Sequence, residues 1–292
     1  LEMAHVEAAM VELSQRWTGL AVIYKGHTAT TIRAADAAGV LFAVKVVPLN
    51  RLMGAEERAQ VVSNVDNLFK HPHECIVNFL GAQYLETSQC IVLATEYMDF
   101  GSLRDLMQRT RIPEAALGRI CFQVLSGLDY LHSQRSIVHR DIKPSNLLVN
   151  SAGQVKISDF GLASILNEFC RTWLGTQFYM SPERISGLPY TAVSDIWSLG
   201  ITTVELAMGA CPYENSPNPI DLLDRIMEQE SPTVPADSFS PEMRDFVGHC
   251  LKKKQEQRPQ AAQMLMHVWV RTHQTTDISP WLLTLGPPNL GT

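Results

Sequence analysis

Apolar residues in this chain recur at two different periods, and the change from one to the other divides it. Residues 1–16 carry some helical spacing and no group suited to chemistry. From Trp17 the texture changes to short β-type runs at Leu20–Tyr24, Thr30–Ala34 and Val40–Val47, with Ala38-Gly39 supplying the turn before the third. Glu56–Lys70 reads as a helix, and Ile76–Tyr84 leads to a further apolar strand at Cys90–Glu96. Strand character stops within Thr95–Leu103, where Ser102 is placed to cap a following helix. Between Glu114 and Ser133 the positions Leu117, Ile120, Val124, Leu128 and Leu131 fall at helical spacing and predict a core helix. Asn146–Val149 and Val155–Ile157 read as short buried strands, and Thr191–Met208 as a strongly apolar helix. Ser240–Leu251 and Gln260–Val270 are amphipathic helices, and residues 272–292, rich in Thr, Pro and Gly, read as a poorly packed tail. There is no internal repeat or low-complexity tract.

Composition narrows the class without naming it. The 292 residues suffice for one large domain or two lobes with real cores. At 46% hydrophobic and 18% charged the balance is that of a globular chain. A net charge of -6 gives no support for nucleic-acid binding, and the run Lys252-Lys253-Lys254 is what a solvated helix end looks like. No apolar run reaches the roughly 18 residues of a membrane span, and no signal peptide is read at the start. The chain begins at Leu1, which suggests a fragment of something longer. The six cysteines (75, 90, 121, 170, 211 and 250) are dispersed and form no CxxC pair, as in a cytoplasmic protein with reduced thiols. His71, His73 and Cys75 crowd together in HPHEC, but the proline and the missing fourth ligand favour a turn over a metal site.

The stretch Ile137–Gly161, IVHRDIKPSNLLVNSAGQVKISDFG, changes the picture most. Asp141, Asn146 and Asp159 stand among apolar residues on short strand ends. Two carboxylates and a carboxamide make a poor core and a good site for a divalent cation and a hydroxyl. His139-Arg140-Asp141 with Asn146, then Asp159-Phe160-Gly161, resembles the signature of protein kinases. Lys45, in the apolar run VLFAVKVV, resembles that family's phosphate-binding lysine. Leu174–Ile185, LGTQFYMSPERI, narrows the resemblance to the MAP kinase kinases, and Phe239–Glu242 and Gln257-Arg258-Pro259 resemble that family's C-terminal lobe.

The resemblance implies an α+β, two-lobed protein kinase fold, with a small mostly β N-lobe and a larger mostly α C-lobe. It divides the chain into an extension (1–16), a kinase domain (17–271, with N-lobe 17–95, hinge 96–99 and C-lobe 100–271) and a tail (272–292). It implies ATP-dependent phosphoryl transfer, with Mg²⁺, to Thr and Tyr of a MAP kinase, and an upstream activating kinase as a second partner. Asp141 would take or orient the hydroxyl proton, Lys143 would reach the γ-phosphate, Lys45 would hold the other phosphates, and Asn146 and Asp159 would bind the metal. Gly26, Ala43, Thr95, Glu96, Met98 and Leu148 would surround the nucleotide, with Met98 offering a backbone N–H. Asp195 would bond the backbone of the His139–Asp141 segment, and Glu183 would pair with Arg258.

Two positions depart from the family's pattern. The phosphate-covering loop at Ile23–Thr30, IYKGHTAT, has only Gly26, and Asn64 stands where a lysine-pairing glutamate is expected, with Asp66 on another face. The family's two activating phosphorylation positions fall on Glu168 and Thr172, so a fixed carboxylate replaces one phosphate in part, with Arg140 as the cation for either. The alternative from another class is a pseudokinase scaffold, which the sparse glycines and Asn64 favour. The other alternative, a serine/threonine kinase of an earlier tier, is opposed by Met180–Arg184, MSPER.

Overall fold

The computed structural model describes residues 2–26, 29–49, 54, 56, 59–63, 65, 72–159 and 176–286. Five strands form one antiparallel sheet: β1 (Thr18–Lys25), β2 (Thr30–Ala35), β3 (Leu41–Pro48), β4 (Phe79–Leu85) and β5 (Cys90–Glu96), in the order β1-β2-β3-β5-β4. Strand β3 is therefore central, with Lys45 opposite Thr31 on one side and Leu93 on the other. Alternation along a strand sends successive side chains to opposite faces. Phe42, Val44 and Val46 enter a core with Ile32, Ala34, Leu85 and Val92, while Ala43 and Lys45 are only partly buried.

Helix α1 (Glu2–Leu13) covers that first face. Its Ala9 and Leu13 are fully buried there, with Val6 and Met10 packed beside them, one stripe at helical spacing. His5 Nδ1 lies 2.8 Å from the Ser88 carbonyl, and Ser88 Oγ donates to Glu12. Helix α1 thus adds Ala9 and Leu13 to the small lobe's core and covers apolar side chains that the sheet face would otherwise expose.

The second lobe is built around α3 (Glu114–Asp129), which follows the short α2 (Leu103–Arg109). Ser102 caps α2 in a full capping box with Asp105. Helix α3 is prolonged by a π-type turn at Tyr130–Gln134 in place of regular helix to Ser133. Gly127 lets a strand approach closely, since a Cβ there would stand 2.8 Å from Ile157 Cδ1 and 3.0 Å from the Cys75 carbonyl. That neighbouring pair is β6 (Leu147–Val149) with β7 (Val155–Ile157). Cys75–Val77 also pairs with β7, through Ile157 N–H to the Cys75 carbonyl and Val77 N–H to the Ile157 carbonyl, both 2.9 Å. The segment before β4 therefore belongs to the large lobe's core. His73 lies in a turn, its Nδ1 accepting the Cys75 N–H and its ring stacked on Tyr130, while His71 is outside the described residues.

Further helices among the described residues are α4 (Pro182–Ile185), α5 (Ala192–Met208), α6 (Pro219–Met227), α7 (Pro241–Cys250), α8 (Ala261–Leu265), α9 (Val268–His273) and α10 (Ser279–Thr284). The single helix expected over Gln260–Val270 is two, because His267 is extended (ψ 137°) and its ring accepts the Trp269 N–H as a new N-cap. The tail is likewise better packed than composition suggests. Ile278 and Leu282 are buried in the large core, and Arg109 donates to the carbonyls of Leu285 and Gly286. Apolar side chains at 278, 281, 282 and 285 make one stripe, which overrides the loop-like composition before them. Five cysteines (75, 90, 121, 211 and 250) are free and buried, and no helix among the described residues is long and apolar enough to cross a membrane.

Candidate active site

The loop carrying Asp141 is shaped by a carboxylate from elsewhere. Arg140 has φ 72°, a left-handed conformation that costs a non-glycine residue energy unless neighbours hold it. Asp195, fully buried in the first turn of α5, holds it: Oδ2 accepts the His139 N–H and Oδ1 the Arg140 N–H, each at 2.8 Å. His132 Nε2 lies 2.8 Å from Oδ2, and the Tyr190 hydroxyl donates to Oδ1 at 3.2 Å. Burial pushes the Asp195 carboxyl up, but the His132 hydrogen bond, the nearby His139 and the Arg140 amide outweigh it, so its pKa is lowered and it stays charged.

His139 joins this loop to the next. Its Nδ1 accepts the Asp141 N–H at 3.2 Å, which leaves the proton on Nε2 to be donated to the Ser158 carbonyl at 2.9 Å. Ser158 in turn donates its N–H and hydroxyl to the Asn146 carbonyl. Asp141, Asn146 and Asp159 are thereby brought into one frame by backbone on both sides. Asn146 Nδ2 donates to the Asp141 carbonyl and to Asp141 Oδ2, each at 2.8 Å, and Lys143 Nζ stands 2.9 Å from the same Oδ2. Asp141 Oδ1 is buried and has no hydrogen-bond partner among the described residues.

Asp159, at φ 62° just past β7, meets Lys45 from the small lobe with Nζ 2.8 Å from Oδ2. Burial raises its carboxyl, but the charge and hydrogen bond of Lys45, followed by His139 and Lys143, bring the pKa below the ordinary value. The donor chemistry suits a hard divalent cation: Asn146 spends its amide N–H groups on Asp141 and keeps Oδ1, and Asp159 keeps Oδ1 beside the Lys45-bound oxygen.

The groups expected around a nucleotide line the other side. Ala43 stands opposite Thr95 across β3 and β5, both partly buried, and Leu148 is half-buried on β6. Gly26 closes the β1–β2 hairpin through its N–H to the Ala29 carbonyl, and a Cβ there would lie 3.1 Å from that oxygen. Met98 has a buried side chain, and its carbonyl accepts the Gly101 N–H. The Glu96 side chain turns away to other work: it accepts Lys156 Nζ at 2.7 and 3.0 Å and the Asn78 N–H at 2.6 Å. Its main-chain N–H likewise donates to the Asn78 carbonyl, at 2.9 Å.

Glu183 and Arg258 form a buried two-pronged pair at 2.8 and 3.1 Å, with Ser194 Oγ also donating to Glu183. Sequence reasoning missed His132, Ser158 and Tyr190, and also Lys156, whose signal was a lysine inside the buried run VKI that needed a partner. Asn64, Asp66, Phe160, Gly161, Glu168 and Thr172 lie outside the described residues.

Comparison with known proteins agrees with this geometry. The protein kinase domain family matches residues 17–270. Mitogen-activated protein kinase kinase 3 of Arabidopsis thaliana is 43% identical over 240 residues, covering 80% of this chain and 46% of the relative. The mitogen-activated protein kinase kinase SIPKK of Nicotiana tabacum is 38% identical over 262 residues, with 86% and 72% covered. The dual specificity mitogen-activated protein kinase kinase dSOR1 of Drosophila melanogaster is 38% identical over 270 residues, with 81% and 68% covered. The chain spans less than half the length of the first of these and about two thirds of the other two.

Proposed function

The chain belongs to the protein kinases and, within them, to the MAP kinase kinases, and from that premise we propose that it phosphorylates Thr and Tyr hydroxyls of a MAP kinase activation segment at the expense of ATP. The observation that carries the reading is Asp141. One of its oxygens is fastened by Asn146 and Lys143, and the other is buried and unpartnered, poised to accept a proton from a hydroxyl. As the hydroxyl oxygen bonds to the γ-phosphorus, its proton passes to Asp141 and the bond from phosphorus to the β-phosphate bridging oxygen breaks, releasing ADP.

Lys143 neutralises the transferring group and Lys45 the phosphates that stay behind. Asn146 Oδ1 and Asp159 would hold Mg²⁺, which when bound spreads the charge of the phosphates. Gly26, Ala43, Thr95 and Leu148 would border the nucleotide, with the main chain of Glu96 and Met98 facing the adenine edge. The five free buried cysteines suit a reducing compartment, so the cytoplasm is the proposed location. An upstream kinase would act on Thr172, with Glu168 as a partial stand-in for a second phosphate and Arg140 as the receiving cation. The scaffold alternative rests on a loop with one glycine and on Asn64, and neither removes a group that the transfer uses.

The test is transfer from radiolabelled ATP to a panel of catalytically dead MAP kinases. Label on both Thr and Tyr of one member, lost in Asp141→Asn with an unchanged thermal melt, is the expected result. No label on any member, or wild-type turnover in Asp141→Asn, would overturn the reading.

A further inference from the structure

The backbone of Arg140 is held from both sides, and only one side is Asp195. The Arg140 carbonyl accepts Nη1 of Arg184 at 2.8 Å. Arg184 comes from α4, immediately after Glu183, in the segment that follows Gly175-Thr176 in the sequence. Its guanidinium also stands over the ring of Tyr190, 5.0 Å from the centroid, and the Arg140 guanidinium is 6.0 Å from the same centroid. The Tyr190 hydroxyl reaches Asp195 Oδ1, the oxygen that accepts the Arg140 N–H. Burial first, and then the adjacent Asp195, raise the Tyr190 phenol far above its ordinary value, so it remains a donor. A closed ring of contacts results: Arg184 to the Arg140 carbonyl, the Arg140 N–H to Asp195, Asp195 to Tyr190, and Tyr190 to Arg184.

We propose that Arg184 and Tyr190 are positioning residues, which lock the left-handed backbone of Arg140 and thereby set where Asp141 stands. Three features support this. Arg140 is one of four non-glycine residues with positive φ among those described, and a strained residue persists only where its surroundings over-determine it. Asp141 follows it directly, so a rotation at Arg140 swings the carboxylate. Neither Arg184 nor Arg140 has a carboxylate partner among the described residues, so a role for Arg184 in a salt bridge is not competing for it. Cation–π contact also explains the choice of arginine, whose planar group can hydrogen-bond in its plane while stacking on a ring. Helix α4 is in this way tied to the loop that carries Asp141. The kinetic side of this inference rests on the kinase reading above; the backbone side does not.

A double-mutant cycle separates positioning from other roles. Arg184→Met is made alone and in an Arg140→Gly background, where glycine adopts positive φ without strain. Two readouts are taken: kcat and KM for ATP, and amide hydrogen exchange of the peptide spanning residues 137–143. Expected are an approximately tenfold fall in kcat with KM for ATP unchanged, faster exchange at the 139–141 amides, and a near loss of the exchange effect when Arg140 is glycine. Arg184→Lys, which can hydrogen-bond but not stack, should fall between. Unchanged exchange and kcat in Arg184→Met would overturn the proposal. So would an equal effect on exchange in both backgrounds, which would mean that Arg184 acts on folding. If the wild-type chain transfers no phosphate, the kinase reading fails and the exchange readout still decides the positioning.

Discussion

Lys45 Nζ and Asp159 Oδ2 lie 2.8 Å apart, although one belongs to the central strand of the small lobe and the other to a loop of the large one. This contact couples the group proposed to bind phosphates to a group proposed to bind metal. Lys45→Met and Asp159→Asn should each abolish transfer while leaving the thermal melt within a few degrees. Acid separates Lys45→Met from the wild type. The Asp159 pKa is depressed in the folded state, so its contribution to stability is present above the ordinary carboxylate value of about 4 and is lost as pH falls through the folded value. Lys45→Met removes the attraction behind that depression. Acid titration of the fold should then show a shallower loss below about pH 4 than in the wild type. An identical acid limb in both proteins would contradict the assignment.

Removing one member of the Glu183–Arg258 pair should be among the most damaging changes in the large lobe. Both side chains are almost fully buried, and Arg258 also donates to the carbonyls of Val193 and Lys252. A lone buried charge costs roughly 3–5 kcal/mol, so Arg258→Met should lower the urea midpoint accordingly. Arg258→Lys should recover little, because a single ammonium cannot make the two-pronged contact. A loss below about 1 kcal/mol in Arg258→Met would show that the pair is dispensable.

The Glu96 carboxylate fastens the end of β5 to Lys156 on β7 and to the Asn78 amide, which links the lobes behind the cleft. Lys156→Met leaves that carboxylate with the Asn78 amide alone. The expected cost is about 1.5–3 kcal/mol, the usual worth of a hydrogen bond to a charged group. Amide exchange at Asn78 and Glu96 should quicken as the connection loosens. Unaltered exchange at both would remove this clasp from the account of lobe coupling.

The proposed switch depends on one residue. Thr172→Ala should block activation by an upstream kinase. Glu168→Ala should reduce the activity that the phosphorylated chain reaches, since a carboxylate supplies one charge and two acceptor oxygens where a phosphate supplies up to two charges and three. Mass spectrometry of the activated chain, combined with kinetics of both variants, decides the matter. Full activation of Thr172→Ala would end the proposal.

Local pattern carried much of this molecule. The strand Cys90–Glu96 and the cap at Ser102 stand where periodicity and capping chemistry put them, because both depend on neighbours a few residues away. The spacing of Lys45, Asp141, Asn146 and Asp159 was enough to place the chain among the protein kinases. What the sequence left open were partners distant along the chain. Arg184 and Arg140 are 44 residues apart, and Glu96 and Lys156 are 60 apart. No local period encodes such a pairing, so nothing in the sequence marked Arg140 as left-handed or Glu96 as turned away from the cleft. Helix α1 read as an extension and the Ile278–Leu285 stripe as a poorly packed tail for the same reason: each becomes part of a core only when the fold presents an apolar surface for it to cover. The sequence by itself determined the family and the groups to propose for its chemistry, and the tertiary structure decided which further distant side chains hold those groups in place.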